Sequence, residues 1–281
     1  MIVVAPTLVA MAEIYALSRE GGPRSPRFLS YVRRVEHEWG LSAYNPMAGP
    51  AAAETVRSLI ELDAERLAAD AASEVCVRCG FGGSITLAVV VASRGMWTDR
   101  LATEVQHRTL GARRMGHGHV LLWADAPPPP VIPLEAGIHA QLNRVNEPVT
   151  DAAIVRRESA AEAVRIMWCA LHGPAATLGG VLAREGLAYA LSSSPFGVGL
   201  PADDAAIDDA IAVLGDTSTL ADVVGVLYGD SASATLGWTP LGLADGSGFR
   251  WAVARAVDVI AHAGPGEALH TTRLLGSGLH W

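Results

Sequence analysis

A mostly α fold, one helical domain carrying a small antiparallel β element, is the architecture the sequence predicts. Three observations predict it. Apolar residues recur at helical spacing through most of the chain, as in Leu8, Met11, Ala12 and Tyr15. The period shifts from 3.6 to 2 only between Glu74 and Ala124, in segments rich in β-branched residues. Gly- and Pro-containing breaks, at Gly21-Gly22-Pro23, at 229, at 242–248 and at 264–266, divide the helical stretches. With 281 residues, half of them apolar and 18% charged, the chain is long enough and apolar enough for a substantial core.

The elements follow in order. The apolar N-terminal run, Met1–Leu17, reads as a buried helix or an arm packed on the body, with helical spacing over residues 7–19. The apolar start has no basic n-region and no clear cleavage site, and it is too short to span a bilayer. Ser25-Pro26 opens a second helix with the apolar stripe Phe28, Tyr31, Val32, Val35 and Trp39. A long amphipathic helix covers 51–72, with Asp63 at the edge of its stripe. Glu74–Cys79 and Ser84–Ala92 then read as two strands joined by a glycine-rich hairpin at Gly80–Gly83. A short helix over Trp97–Leu110 and a third strand over Val120–Ala124 complete this part. Pro127–Pro130 is a rigid spacer. Beyond it, helices are predicted at 134–145, 150–172, 175–192, 203–214, 218–228 and 249–262, with Thr150-Asp151 and Asp203-Asp204 as caps. We read one domain, 1–281, in three parts: N-terminal helices at 1–72, a small β region with a short helix at 74–126, and a helical half at 131–281.

Charge and cysteine usage narrow the function. The net charge of −8 gives a nucleic-acid partner no global support. All 21 basic residues other than histidine are arginines, and those at 94, 100, 108, 113 and 114 gather where a small carboxylate or phosphate would bind. Three cysteines make no disulfide framework, so a cytoplasmic location without membrane attachment is expected. Cys76 and Cys79 have CxxC spacing but lie in a predicted strand, which turns them to opposite faces. No second CxxC completes a zinc site.

The stretch Arg94–His119 concentrates polar chemistry between two apolar segments and is the expected active-site wall. It holds three of the nine histidines. Glu104 and His107, three apart on a helix, share a face, and Glu267 and His270 repeat that E-x-x-H spacing. Such pairs belong to di-metal carboxylate sites, which need two further glutamates. His117 and His119 form another candidate metal pair, in a glycine-rich loop. His172 closes a buried helix on the stripe of Trp168. It is either an axial ligand or a core histidine bonded to a terminal carbonyl.

On the Thr103–Arg108 segment T-E-V-Q-H-R, the His172-Gly-Pro-Ala-Ala176 segment and the order of elements, the chain resembles the histidine-ligated haem-dependent aromatic hydroxylases of the tryptophan 2,3-dioxygenase-like superfamily. The resemblance spans about the middle two-thirds of the chain. It implies hydroxylation of a free aromatic amino acid, L-tyrosine to L-DOPA, in a specialised-metabolite (antibiotic) pathway. Haem b would be the cofactor and peroxide or dioxygen the oxidant. It implies His172 as axial iron ligand beside Trp168, and His107 as the distal acid–base group. Arg100 or Arg108 would hold the substrate carboxylate, and Trp97 and Trp123 would wall the ring. Exchanging His107 and His172 fits the pattern nearly as well. Where some members of the family bond a cysteine to the haem, this chain has Ala176, which implies a non-covalent haem. A homodimer is left open. Two other readings stand beside this one: a non-haem metalloenzyme built on Glu104 and His107, and a non-catalytic helical binding protein.

Overall fold

The computed structural model describes residues 1–19, 50–92, 115–124, 151–192 and 204–272, with single positions 29, 33, 101, 104, 105, 107, 113 and 274. In chain order these form β1 (Ile2–Ala5), α1 (Thr7–Arg19), α2 (Pro50–Glu61), α3 (Ala64–Arg78), β2 (Ile85–Ala92) and β3 (His117–Trp123). There follow α4 (Ala152–His172), α5 (Leu178–Leu191), α6 (Asp204–Leu214), α7 (Leu220–Tyr228), α8 (Asp230–Thr235), α9 (Ser247–Ala263) and α10 (Pro265–Ala268). The fold is mostly helical around a small sheet, as predicted. Residues 29 and 33 of the helix expected from Ser25 are helical. Pro127–Pro130, the expected helix at 134–145 and Asp203 lie outside the described residues.

The sheet corrects the prediction: it is parallel, not antiparallel. Its order is β1-β2-β3, with Ile2 opposite Ile85 and Thr86 opposite His117 at the first paired positions. β1 comes from the apolar N-terminal run that was expected to be helix or arm. β2 is central, and all of its residues but Thr86 are buried. Its near-continuous run of Leu, Ala and Val is what a parallel strand covered on both faces requires. Parallel pairing also needs a long crossover. One runs through α1, α2 and α3, and the other occupies residues 93–116. Positions 101, 104, 105 and 107 of the second crossover are helical, as predicted for 97–110.

The misread hairpin is a helix end. Glu74–Cys79 continues α3, whose buried residues Ala64, Ala68, Ala71, Ala72, Val75 and Cys76 keep helical spacing. Gly80, at φ 67°, takes the left-handed conformation that ends helices. Phe81 N–H donates to the Cys76 carbonyl at 2.9 Å and Gly80 N–H to that of Val77 at 3.1 Å, the paired bonds of a Schellman cap. Cys76 and Cys79 therefore lie on one helix face, both buried and both free thiols. Burial pushes the Cys76 thiol up to about 11 and raises that of Cys79. The helix expected over 51–72 is two helices, divided at Asp63, which has φ 55°.

α4 organises the rest. Asp151 caps it, its carboxylate accepting from Ala153 N–H at 2.7 Å. It packs against α3, α5 and β3, and it is buried from Ser159 through Cys169. α9 lies on α5. One apolar cluster runs through β1 to α9 and on to Leu269 and Leu274. A smaller one joins Val105 to Val224 and Ala232, seating Leu101 and Val105 against α7 and α8. Among the described residues no helix is long and apolar enough to cross a membrane.

Candidate functional site

On α4, Glu158, Glu162 and Arg165 fall at i, i+4 and i+7, one face of the helix. That face is turned inward, and all three side chains are buried. Buried charges persist only when paired, because the low-dielectric interior penalises a lone ion by several kcal/mol. Here the pairing runs as a chain. Arg184 Nε donates to Glu185 Oε1 at 2.9 Å. Arg165 Nε donates to Glu185 Oε2 at 3.0 Å, and its Nη1 to Glu162 Oε2 at 3.3 Å. Arg113, fully buried, closes a fork on Glu162, with Nε to Oε1 at 2.7 Å and Nη2 to Oε2 at 3.0 Å. Arg113 Nη2 also lies 3.2 Å from His107 Nε2. Glu158 accepts from Arg157 Nε at 3.0 Å. Three buried arginines (113, 165, 184) thus share two buried glutamates (162 and 185), and Glu158 pairs with Arg157 beside them. Cys169 sits beside this chain. Burial raises its thiol pKa, against the pull of the Arg184 and Arg113 guanidiniums.

Glu162 reaches Arg113 by crossing β3 at Gly118. A Cβ on that glycine would lie 2.4 Å from Glu162 Oε1 and 2.8 Å from the Ile166 Cδ1. His117 and His119, expected in a mobile loop, lie on β3, which corrects that expectation. Alternation along the strand turns His119, Leu121 and Trp123 to one side.

Those three residues line a cavity of about 20 Å³ with Glu104, His107, Glu158, Arg165 and Tyr189. Such a volume holds one water or one polar group. Two imidazoles, two carboxylates, a guanidinium and a phenol meet there, beside the Trp123 indole. The Arg165 guanidinium carbon lies 5.3 Å from the Tyr189 ring centroid, within cation–π range. The set can exchange protons, and it offers both charge and aromatic surface to a ligand.

Of the residues expected from sequence, the structure brings together Glu104, His107, His119 and Trp123. Trp97, Arg100 and Arg108 lie outside the described residues. His172 is elsewhere. It ends α4, ten residues beyond Glu162, about 15 Å along the helix axis at 1.5 Å per residue. Its Nε2 donates to the Leu269 carbonyl at 2.8 Å, and its ring lies 4.8 Å from that of Trp168. Trp168 Nε1 donates to the Thr271 carbonyl at 2.9 Å. The two side chains together tie the segment after α10 to α4. Glu267 and His270 are exposed, and the His270 ring stands edge-on to His172 with centroids 6.5 Å apart. Among the described residues, no three His, Cys, Asp or Glu side chains are placed to hold a metal ion.

Sequence reasoning missed Glu158, Glu162, Arg165, Arg184, Glu185 and Tyr189. Signals were present. Charges at i, i+4 and i+7 stood within a helix read by its apolar stripe. Arg184-Glu185 is the only charged pair in the fourteen residues of α5. Comparison with protein families, with curated proteins and with solved structures finds no match to the chain.

Proposed function

We propose that the cavity between α4, β3 and the His107 segment is the active site of an enzyme acting by proton transfer on a small polar molecule, with a free aromatic amino acid as the substrate class. The observation that carries this reading is the gathering of Glu104, His107, His119, Glu158, Arg165 and Tyr189 around one cavity. Titratable groups concentrated in a desolvated hollow cost stability, and such clusters mark functional sites. The volume receives one polar end of a ligand rather than a whole molecule. Trp123 and Tyr189 supply aromatic surface, Arg165 attracts a carboxylate, and Glu104 and Glu158 attract an amine.

Haem-dependent hydroxylation of that substrate is the narrower proposal from the resemblance, and the residues present do not fit it as first laid out. A porphyrin bound by His172 with His107 on its far side needs both imidazoles across one cavity. His172 Nε2 instead gives its hydrogen to the Leu269 carbonyl, so that nitrogen offers no lone pair to iron and only Nδ1 keeps one. It also stands well along α4 from the residue that His107 touches.

The test is calorimetric titration of L-tyrosine, other free aromatic amino acids and simple carboxylates into the wild type, Glu158→Gln and Tyr189→Phe. Saturable binding, weakened about tenfold or more in Glu158→Gln (about 1.4 kcal/mol) while that variant still unfolds cooperatively, is expected. Equal affinity in all three proteins, or no binding of any ligand, would refute the site. A parallel haemin titration that yields a Soret band lost in His172→Ala would restore the haem reading.

A further inference from the structure

We infer that Arg113, held by Glu162 in the notch left by Gly118, is a positioning residue that fixes the His107 imidazole in one neutral tautomer, with its proton on Nδ1. The geometry stands by itself, and only its catalytic consequence rests on the reading of the cavity as an active site.

A guanidinium has N–H donors and no lone pair to offer. Arg113 Nη2 carries two hydrogens. One donates to Glu162 Oε2 at 3.0 Å, and the other faces His107 Nε2 at 3.2 Å. Nε2 must therefore accept, which leaves it without a hydrogen. Glu162 Oε2 is 3.6 Å from Nε2, beyond hydrogen-bond distance, so it draws no hydrogen onto that nitrogen. The orientation of Arg113 is set in turn by its two-point fork on Glu162. Glu162 makes that fork only because position 118 has no side chain, since a Cβ there would meet Oε1 at 2.4 Å. The carboxylate cannot simply swing aside, because it is wholly buried and also bonded to Arg165. Gly118, Glu162, Arg113 and His107 thus form one line of positional control.

The consequence is a division of labour. The Nε2 lone pair of His107 is engaged by Arg113 and is withdrawn from the cavity. Proton acceptance in the proposed site falls to Glu104, Glu158 and His119. This replaces the distal acid–base role that the resemblance implied for His107.

The test is long-range proton–nitrogen correlation NMR on the full chain labelled with ¹⁵N-histidine at neutral pH, with His107 assigned by loss of its signals in His107→Gln. The expected wild-type pattern has a protonated Nδ1 and an unprotonated Nε2. Gly118→Ala keeps every charge and should shift His107 towards a mixture of tautomers. Arg113→Met should do the same, with Arg113→Lys partly restoring the original pattern. An Nε2–H tautomer or an imidazolium in the wild type would overturn the inference. So would a wild-type pattern that persists in Gly118→Ala, the variant that remains informative if Arg113→Met does not fold. Failure of ligand binding with the tautomer pattern intact would remove the proposed function and leave this inference standing.

Discussion

Single residues in this protein hold unlike elements together through polar groups set in apolar surroundings. Glu65, in the first turn of α3, accepts from Leu8 N–H at 2.9 Å and so satisfies an orphan donor at the start of α1. Burial raises the pKa of its carboxyl above the ordinary 4.5, and outweighs the hydrogen bonds from Leu8 and Thr7 that favour the charged form. The sign follows from linkage. In the window above 4.5 the folded state holds more protons at this site than the unfolded state, so stability declines as pH rises through the folded pKa. Glu65→Gln keeps an oxygen for the Leu8 amide and removes the titration. Its stability relative to wild type should therefore improve from pH 4 to pH 7, by less than about 1 kcal/mol because the group is partly exposed and screened. Urea unfolding of both proteins at several pH values measures this. A variant that loses ground as pH rises would show that the carboxylate is favoured charged.

At the scale of elements, α4 is where packing and chemistry compete. Its middle is buried on all sides, yet it carries Glu158, Glu162 and Arg165. Glu162 faces Arg113 and Arg165 at once. Glu162→Gln keeps the shape and removes the charge between two buried guanidiniums. The expected cost is about 3–5 kcal/mol, a fall in melting temperature on the order of 10 °C, read by calorimetry. A loss under about 1 kcal/mol would mean that the network is relaxed by water and is no buried ion chain. This chain was illegible in the sequence for a physical reason. Arg113 and Glu162 are 49 residues apart, and nothing local to either announces its partner. Glu104 and His107 were legible because their polar stretch lies between two apolar runs, and Trp123 was named only through the family resemblance. The bounds of α4, α6, α7 and α9 were legible from 3.6-residue periodicity ending at glycine, whereas the six-residue α8 is too short to show a period and was not predicted. The last turn of α3 was not, because Val75 and Val77 alternate like a strand and Gly80 serves a helix cap as readily as a turn.

Over the whole molecule, strand direction is a tertiary property. β1 has four residues, too few to establish a period, and its partner lies more than eighty positions away. Only the near-continuous apolar sequence of β2 hinted at a strand covered on both faces. That placement has a consequence for dynamics. β2 is hydrogen-bonded on both sides and buried along its length, so its amides open only when the sheet comes apart. α6 contrasts with it. Ile207 is its one buried side chain among those described, and Val213 is exposed. Its clearest polar tie to the body is Asp208, which accepts from Trp251 Nε1 at 2.8 Å. Native-state hydrogen exchange followed by mass spectrometry should therefore find Ile85–Ala92 the slowest segment, close to the global unfolding limit, and Asp204–Leu214 exchanging by local opening at least a hundredfold faster, about 3 kcal/mol less protected. Glu162→Gln should lower protection of β2 along with global stability while leaving α6 unchanged, because α6 opens without disturbing the ion chain. Equal protection of β2 and α6 in the wild type would mean that the helical half and the sheet unfold as one unit.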